Sequence, residues 1–196
     1  MGLDIELLLF DLGGVLIELN DSPLPTYHPQ LSDWLLSETV RKFEVGLISS
    51  EEFACAVKKD LLLEQSVEDI ISHFKAWPKG FYPGAIDLLN RLKANCKISA
   101  LTNTNEIHWS RITEEFQAPC YFDSIIASHQ VGMAKPDVRF FQYAIEKFAI
   151  HPNKIMFMDD NIENVAAASR VGINSYLTRG FLEVVALLSK VDLSLA

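Results

Sequence analysis

The hydrophobic pattern changes period along this chain, and the changes mark out its elements. Ile5-Glu6-Leu7-Leu8-Leu9-Phe10 is nearly all apolar, which suits a strand buried on both faces of a parallel sheet. Similar short runs recur at 97–101, 124–127, 154–158 and 173–177. Segments of helical spacing separate them: from Pro83-Gly84 to about 94, near 105–117, from Lys135-Pro136-Asp137 onward, up to Gly172, and near 181–190. In the third of these, Phe140, Phe141, Ala144, Ile145 and Phe148 form one apolar face. Repeated strand–helix units with short connections predict an α/β fold, a Rossmann-like doubly wound parallel sheet with right-handed crossovers.

One stretch breaks the alternation. Residues 17–22 read as a polar connection, and Pro23 and Pro25 mark a loop. From about 29 to 77 the spacing is helical only. Leu31, Trp34, Leu35 and Phe43 share a face, with Gly46 placed to end it. Ser49-Ser50-Glu51-Glu52 is a capping box ahead of Phe53, Ala54, Val57 and Leu61, and Ser66 opens a further helix. Trp77-Pro78-Lys79-Gly80 reads as the closing turn. The predicted organisation is an α/β core over 1–19 and 80–196, with a small all-helical insert over 20–79 after the first strand.

Composition narrows the partners. The 196 residues carry a formal net charge of −9, without the basic footprint that nucleic acid or an anionic membrane surface requires. Cys55, Cys96 and Cys120 are scattered and form no CxxC pair, as expected of reduced thiols in a cytoplasmic protein. The opening Met1-Gly2-Leu3-Asp4 has no basic flank of a signal peptide, and no apolar run approaches a membrane span.

Polar residues gather where the predicted strands end. Asp11 follows the first, and Gly13 and Gly14 after it let the backbone turn sharply. Thr102-Asn103 follows the second, Lys135 follows the third after a loop, and Asp159-Asp160 follows the fourth. In this topology all these strand ends face one crevice. Carboxylates for a hard divalent cation, with a hydroxyl, an amide and an ammonium for anion oxygens, are the equipment of phosphoryl transfer. Each residue also has a plainer reading: Thr102-Asn103 as a turn and cap, Lys135 as a surface lysine, Asp159-Asp160 as helix caps.

Asp11-Leu12-Gly13-Gly14-Val15, Thr102-Asn103, Lys135-Pro136-Asp137 and Asp159-Asp160-Asn161 together resemble the four motifs of the haloacid dehalogenase (HAD) superfamily of phosphohydrolases. The likeness spans the whole chain, and the helical insert falls where that family carries its cap. The resemblance implies a Mg²⁺-dependent phosphatase of a small phosphorylated metabolite, a sugar phosphate among the candidates. Asp11 would be the nucleophile, forming an aspartyl-phosphate. Thr102 with Asn103 would bind the phosphoryl oxygens, and Lys135 would balance their charge. Asp11, the Gly13 carbonyl and the pair Asp159 and Asp160 would hold Mg²⁺, with the direct ligand of that pair left open.

One departure matters. Phosphatases of this family usually carry a second Asp two residues after the nucleophile, acting as general acid and base. Here that position is Gly13. Loss of general acid–base catalysis costs about 10²–10⁴-fold, which slows hydrolysis without abolishing it. Glu18, His28 and Glu44 are candidates by chemistry to replace it from the insert. An impaired member with a binding or regulatory role is the alternative. A dehalogenase proper has no need of the acidic pair, and a receiver domain would carry its motifs in reverse order.

Overall fold

The computed structural model describes residues 4–24 and 28–191; Met1, Gly2, Leu3 and Pro25 lie outside the described residues. In chain order the elements open with β1 (Leu7–Phe10) and β2 (Ile17–Leu19). Four helices follow: α1 (Leu31–Trp34), α2 (Glu38–Glu44), α3 (Ser50–Asp60) and α4 (Val67–Lys75). Then come β3 (Pro78–Phe81), α5 (Ala85–Lys93), β4 (Lys97–Thr102), α6 (Glu106–Ser110), β5 (Ser124–Ala127) and α7 (Ser128–Val131). The chain continues with α8 (Val138–Phe148), β6 (Ile155–Asp159), α9 (Ile162–Arg170), β7 (Asn174–Leu177) and α10 (Phe181–Lys190).

Five strands form one parallel sheet in the order β5-β4-β1-β6-β7. Alternation along the strands sorts the core into two layers. Leu8, Phe10, Ile98, Ala100, Met156 and Met158 pack with α5 and α10 on one face. Leu7, Leu9, Leu101, Ile126, Ile155 and Phe157 pack with α8 and α9 on the other. With helices on both faces, every strand of the centre must be apolar on both sides, which is why β1 reads as a continuous hydrophobic run.

The register decides where chemistry can sit. Phe10 is level with Ala100 of β4 and with Met158 of β6. Asp11, Thr102 and Asp159 therefore all emerge at the carboxyl edge around the central strand, where the chain order reverses direction across the sheet.

Two strands depart from the sequence expectation. Residues 17–19 and 78–81, read as a polar connection and a turn, pair antiparallel as β2 and β3. Neither carries a recognisable pattern: β2 is three residues long, and β3 contains Pro78 and Gly80. Pro is tolerated here because it begins its strand. The pair joins the core to the helical segment at both crossings of the chain.

Helices α1–α4 surround a core of their own, with Trp34, Phe43, Phe53, Val57, Ile70 and Phe74 at its centre. The Phe43 and Phe53 rings stack at 4.2 Å. Serines start three of these helices: Ser37, Ser49 and Ser66 each accept from a backbone amide, and Ser49 with Glu52 completes the capping box. Ile107 of α6 belongs to the same cluster, so the segment packs directly on the sheet domain. Among the described residues no helix is long and apolar enough to cross a membrane.

Candidate active site

Lys135 is the hub of the carboxyl edge. Its Nζ donates to Asp11 Oδ1 at 2.8 Å and to Asp159 Oδ2 at 2.7 Å, and its side chain is 1% exposed. Asp159 is fully buried and its other oxygen is also engaged. It accepts from the Asn161 amide and from Asn164 Nδ2, each at 2.9 Å. Asp160 stands beside it, partly buried, with its carboxyl against Gly14. One oxygen from each of Asp11, Asp159 and Asp160 lies within 4.8 Å of the others.

The charges are unbalanced. Three carboxylates face one ammonium, and burial followed by the neighbouring Asp159 charge pushes Asp160 above the usual carboxylate range. Burial drives Asp11 up to about 7, against the pull of Lys135. Burial also works against the charge of Lys135, but the contacts with Asp11 and Asp159 outweigh it and raise its pKa. A divalent cation would relieve the surplus, and the donor set suits a hard oxygen-seeking ion such as Mg²⁺. Because Asp159 already accepts three hydrogen bonds from the protein, Asp160 is the freer of the pair.

Side-chain hydrogen bonds brace the neighbouring loops. Asn103 accepts from the Lys135 amide at 2.8 Å and donates to its carbonyl at 3.0 Å, so its side chain fixes the lysine loop. Thr102 is buried beside it. Ser128, fully buried, accepts from the Thr104 amide and donates to the Thr104 carbonyl, both at 2.9 Å. Asp11 is fixed through its own backbone, whose N–H donates to the Met158 carbonyl at 2.9 Å. Sequence reasoning missed Asn164 and Ser128. Their only signal is a polar residue in the first turn after a strand, which is a common cap pattern.

A cavity of about 320 Å³ opens over this edge, lined by Asp11, Gly13, Thr102, Asn103 and Asp160. Leu19 of β2, Trp77, Pro78, His108 and Glu44 line it as well. Of the three insert candidates only Glu44 lines this cavity. Glu18 pairs with Lys79 at the surface, 2.7 Å apart. His28 lines a separate depression with Asp60 and Gln65.

His108 ties the helical segment to the core. Its Nε2 must donate to the Phe74 carbonyl at 2.8 Å, because a carbonyl only accepts; Nδ1 then accepts from Asn105 Nδ2 at 3.2 Å. The ring stacks on Phe74 at 4.4 Å, and burial lowers its pKa to about 4. It is a neutral structural imidazole.

Known proteins resemble this chain in sequence and fold. The family model described as haloacid dehalogenase-like hydrolase matches residues 5–172. A sesquiterpene phosphatase of Aspergillus oryzae, astK, is 30% identical, covering 84% of this chain and 85% of its own. Drimenol cyclase drtB of Aspergillus calidoustus is 27% identical over 88% of this chain, which spans only 34% of that longer protein. Among solved structures, a HAD family enzyme of Bacteroides thetaiotaomicron in complex with magnesium and inorganic phosphate superposes with a TM-score of 0.76. It is 28% identical, over 88% of this chain and 93% of its own.

Proposed function

From the premise that this chain belongs to the haloacid dehalogenase-like hydrolases, we propose that it is a Mg²⁺-dependent phosphatase of a small phosphate monoester. The observation that carries the reading is the buried Asp11–Lys135–Asp159 chain of ion pairs with Asp160 beside it, Asp11 and Asp160 lining one cavity. Relatives that are a phosphatase and a phosphate-binding enzyme support it.

In this reading Asp11 attacks phosphorus and takes the phosphoryl group, splitting one hard displacement into two easier ones. Lys135 favours the ionised form of Asp11 and holds its carboxyl in place, and Thr102 binds a phosphoryl oxygen. Asn103 serves by holding Lys135. Asp11, Asp160 and the Gly13 carbonyl would hold Mg²⁺, with Asp159 orienting the set from behind. The cation, when bound, supplies charge neutralisation that lets a phosphate dianion enter an acidic site. Helices α1–α4 act as the cap that excludes water and contacts the organic part of the ester.

Substrate class is the finer question. The cavity wall contributes Leu12, Ile17, Leu19, Trp77 and Ile112, which favours an ester with a partly apolar organic group over a uniformly hydroxylated sugar. The test is release of phosphate from an aryl phosphate with and without Mg²⁺, with Asp11→Asn as the blank. Mg²⁺-dependent release that Asp11→Asn abolishes supports the proposal. Equal inactivity of the two proteins, with Mg²⁺ still bound, would replace it with a binding role.

A further inference from the structure

We propose that Glu44, the last residue of α2, is the proton donor and acceptor that position 13 does not provide. The inference rests on the phosphatase reading above. Glu44 lines the same cavity as Asp11 and Gly13, although it comes from a different part of the chain. Asn103 Nδ2 donates to Glu44 Oε2 at 3.3 Å, and the same Asn103 clasps the backbone of Lys135. One amide thus ties the carboxyl of Glu44 to the lysine that holds the nucleophile. That bond engages one carboxyl oxygen and leaves the other without a hydrogen-bond partner among the described residues.

The seat of Glu44 is built, not incidental. Two residues on, Gly46 has φ +72°, and a Cβ there would lie 2.6 Å from the His129 carbonyl oxygen of α7. The end of α2 therefore rests backbone to backbone on the sheet domain. A second tie follows: the Ser50 amide and hydroxyl both donate to Glu106 Oε1, at 2.6 and 2.5 Å. These contacts hold the end of α2 and the start of α3 on the sheet domain.

Its surroundings suit proton transfer. Burial raises the Glu44 carboxyl to about 7, with Lys135, the Asn103 bond and Arg41 pulling the other way. A carboxyl poised near neutrality serves as acid in one step and base in the next.

The two steps balance. As an Asp11 oxygen bonds to phosphorus, the bond from phosphorus to the ester oxygen breaks, and the Glu44 proton passes to that oxygen. The alcohol leaves and Glu44 is ionised. It then takes a proton from water as the water oxygen bonds to phosphorus and the Asp11–phosphate bond breaks. Phosphate leaves, with Asp11 ionised and Glu44 protonated as at the start.

Pre-steady-state kinetics with Mg²⁺ on the full chain provides the test, using an aryl phosphate with an acidic phenol and butyl phosphate. For Glu44→Gln, which preserves shape and can still accept from Asn103, kcat for butyl phosphate should fall by about 10²-fold or more. The aryl ester leaves without an acid, so it should give a burst of about one phenolate per protein, then slow turnover that the wild type does not show. Glu44→Asp should recover part of both rates, which a packing role would not explain. Linear progress curves with both esters slowed equally, or a raised KM at unchanged kcat, would overturn the assignment. Wild-type inactivity toward both esters would overturn the phosphatase reading, and this inference with it.

Discussion

Gly14 and Asp160 occupy adjoining space so closely that the glycine cannot carry a side chain. A Cβ at Gly14 would fall inside the van der Waals envelope of Asp160 Oδ2, and φ at Gly14 is +72°. The backbone there is also held at both ends: its N–H donates to the Ile17 carbonyl at 2.9 Å, and its carbonyl accepts from the Gly180 amide at 2.7 Å. Gly14→Ala must therefore displace the Asp160 carboxyl. We expect a loss of about 1–2 kcal/mol in stability from the left-handed conformation alone. Mg²⁺ affinity should fall by more than about tenfold, as for loss of a group that orients a metal ligand. Calorimetric titration with Mg²⁺ checks this, and unchanged affinity would remove Asp160 from the proposed metal set.

Lys135 is buried between two carboxylates, so removing it leaves both without a counter-charge. Lys135→Ala should cost about 3–5 kcal/mol at neutral pH, the range for breaking a buried ion pair from one side. The sign with pH follows from Asp11, whose carboxyl burial already raises to about 7: its protonation relieves the repulsion with Asp159, so the deficit should shrink as pH falls. Urea unfolding of both proteins at pH 7 and pH 5 measures it. A deficit independent of pH would mean that lost packing, not charge, dominates.

The fold was legible because burial dictates residue type. All five parallel strands are legible as short runs at 5–10, 97–101, 124–127, 154–158 and 173–177, and helix starts announce themselves through Ser49, Ser66 and Asp137. The strands β2 and β3 were not legible, because each is stabilised by the other rather than by its own sequence. The site was legible to the extent that its charged residues end buried strands. Its supports were hidden: Asn164 and Ser128 look like ordinary cap residues until the structure shows what they hold. Glu18, His28 and Glu44 were equivalent by chemistry, and only the docking of α2 on α7 distinguishes Glu44.

His108 supplies an acid-sensitive tie between α4 and the core. Its pKa is lowered from 6.5 to about 4 by burial, so the folded protein resists its protonation while the unfolded chain accepts it. The stability it supports is present above about pH 6.5 and is lost as pH falls toward 4. By pH 4.5 the loss should reach roughly 2–3 kcal/mol relative to neutral pH. His108→Gln, which keeps a donor for the Phe74 carbonyl, should flatten this part of the curve. Parallel denaturation curves at pH 7, 5.5 and 4.5 give the difference; identical slopes for the two proteins would contradict a buried neutral imidazole.

Gly13 is the opposite of Gly14, because neither its backbone nor its surroundings require glycine. The nearest atoms to a Cβ there are the Leu19 methyls at 3.8 Å, an ordinary contact. Gly13→Asp should therefore fold without a large loss of stability and place a second carboxyl in the lining of the cavity that Glu44 also lines. If proton transfer limits turnover of alkyl phosphates, this variant should raise their kcat by about tenfold or more, within the range that a positioned acid–base contributes. The double variant Gly13→Asp with Glu44→Gln carries the sharper expectation. With a carboxyl restored at position 13, loss of Glu44 should cost much less than it does in the parent, so the two effects should not add. Additive effects on kcat would mean that the two carboxyls act in different steps or on different atoms.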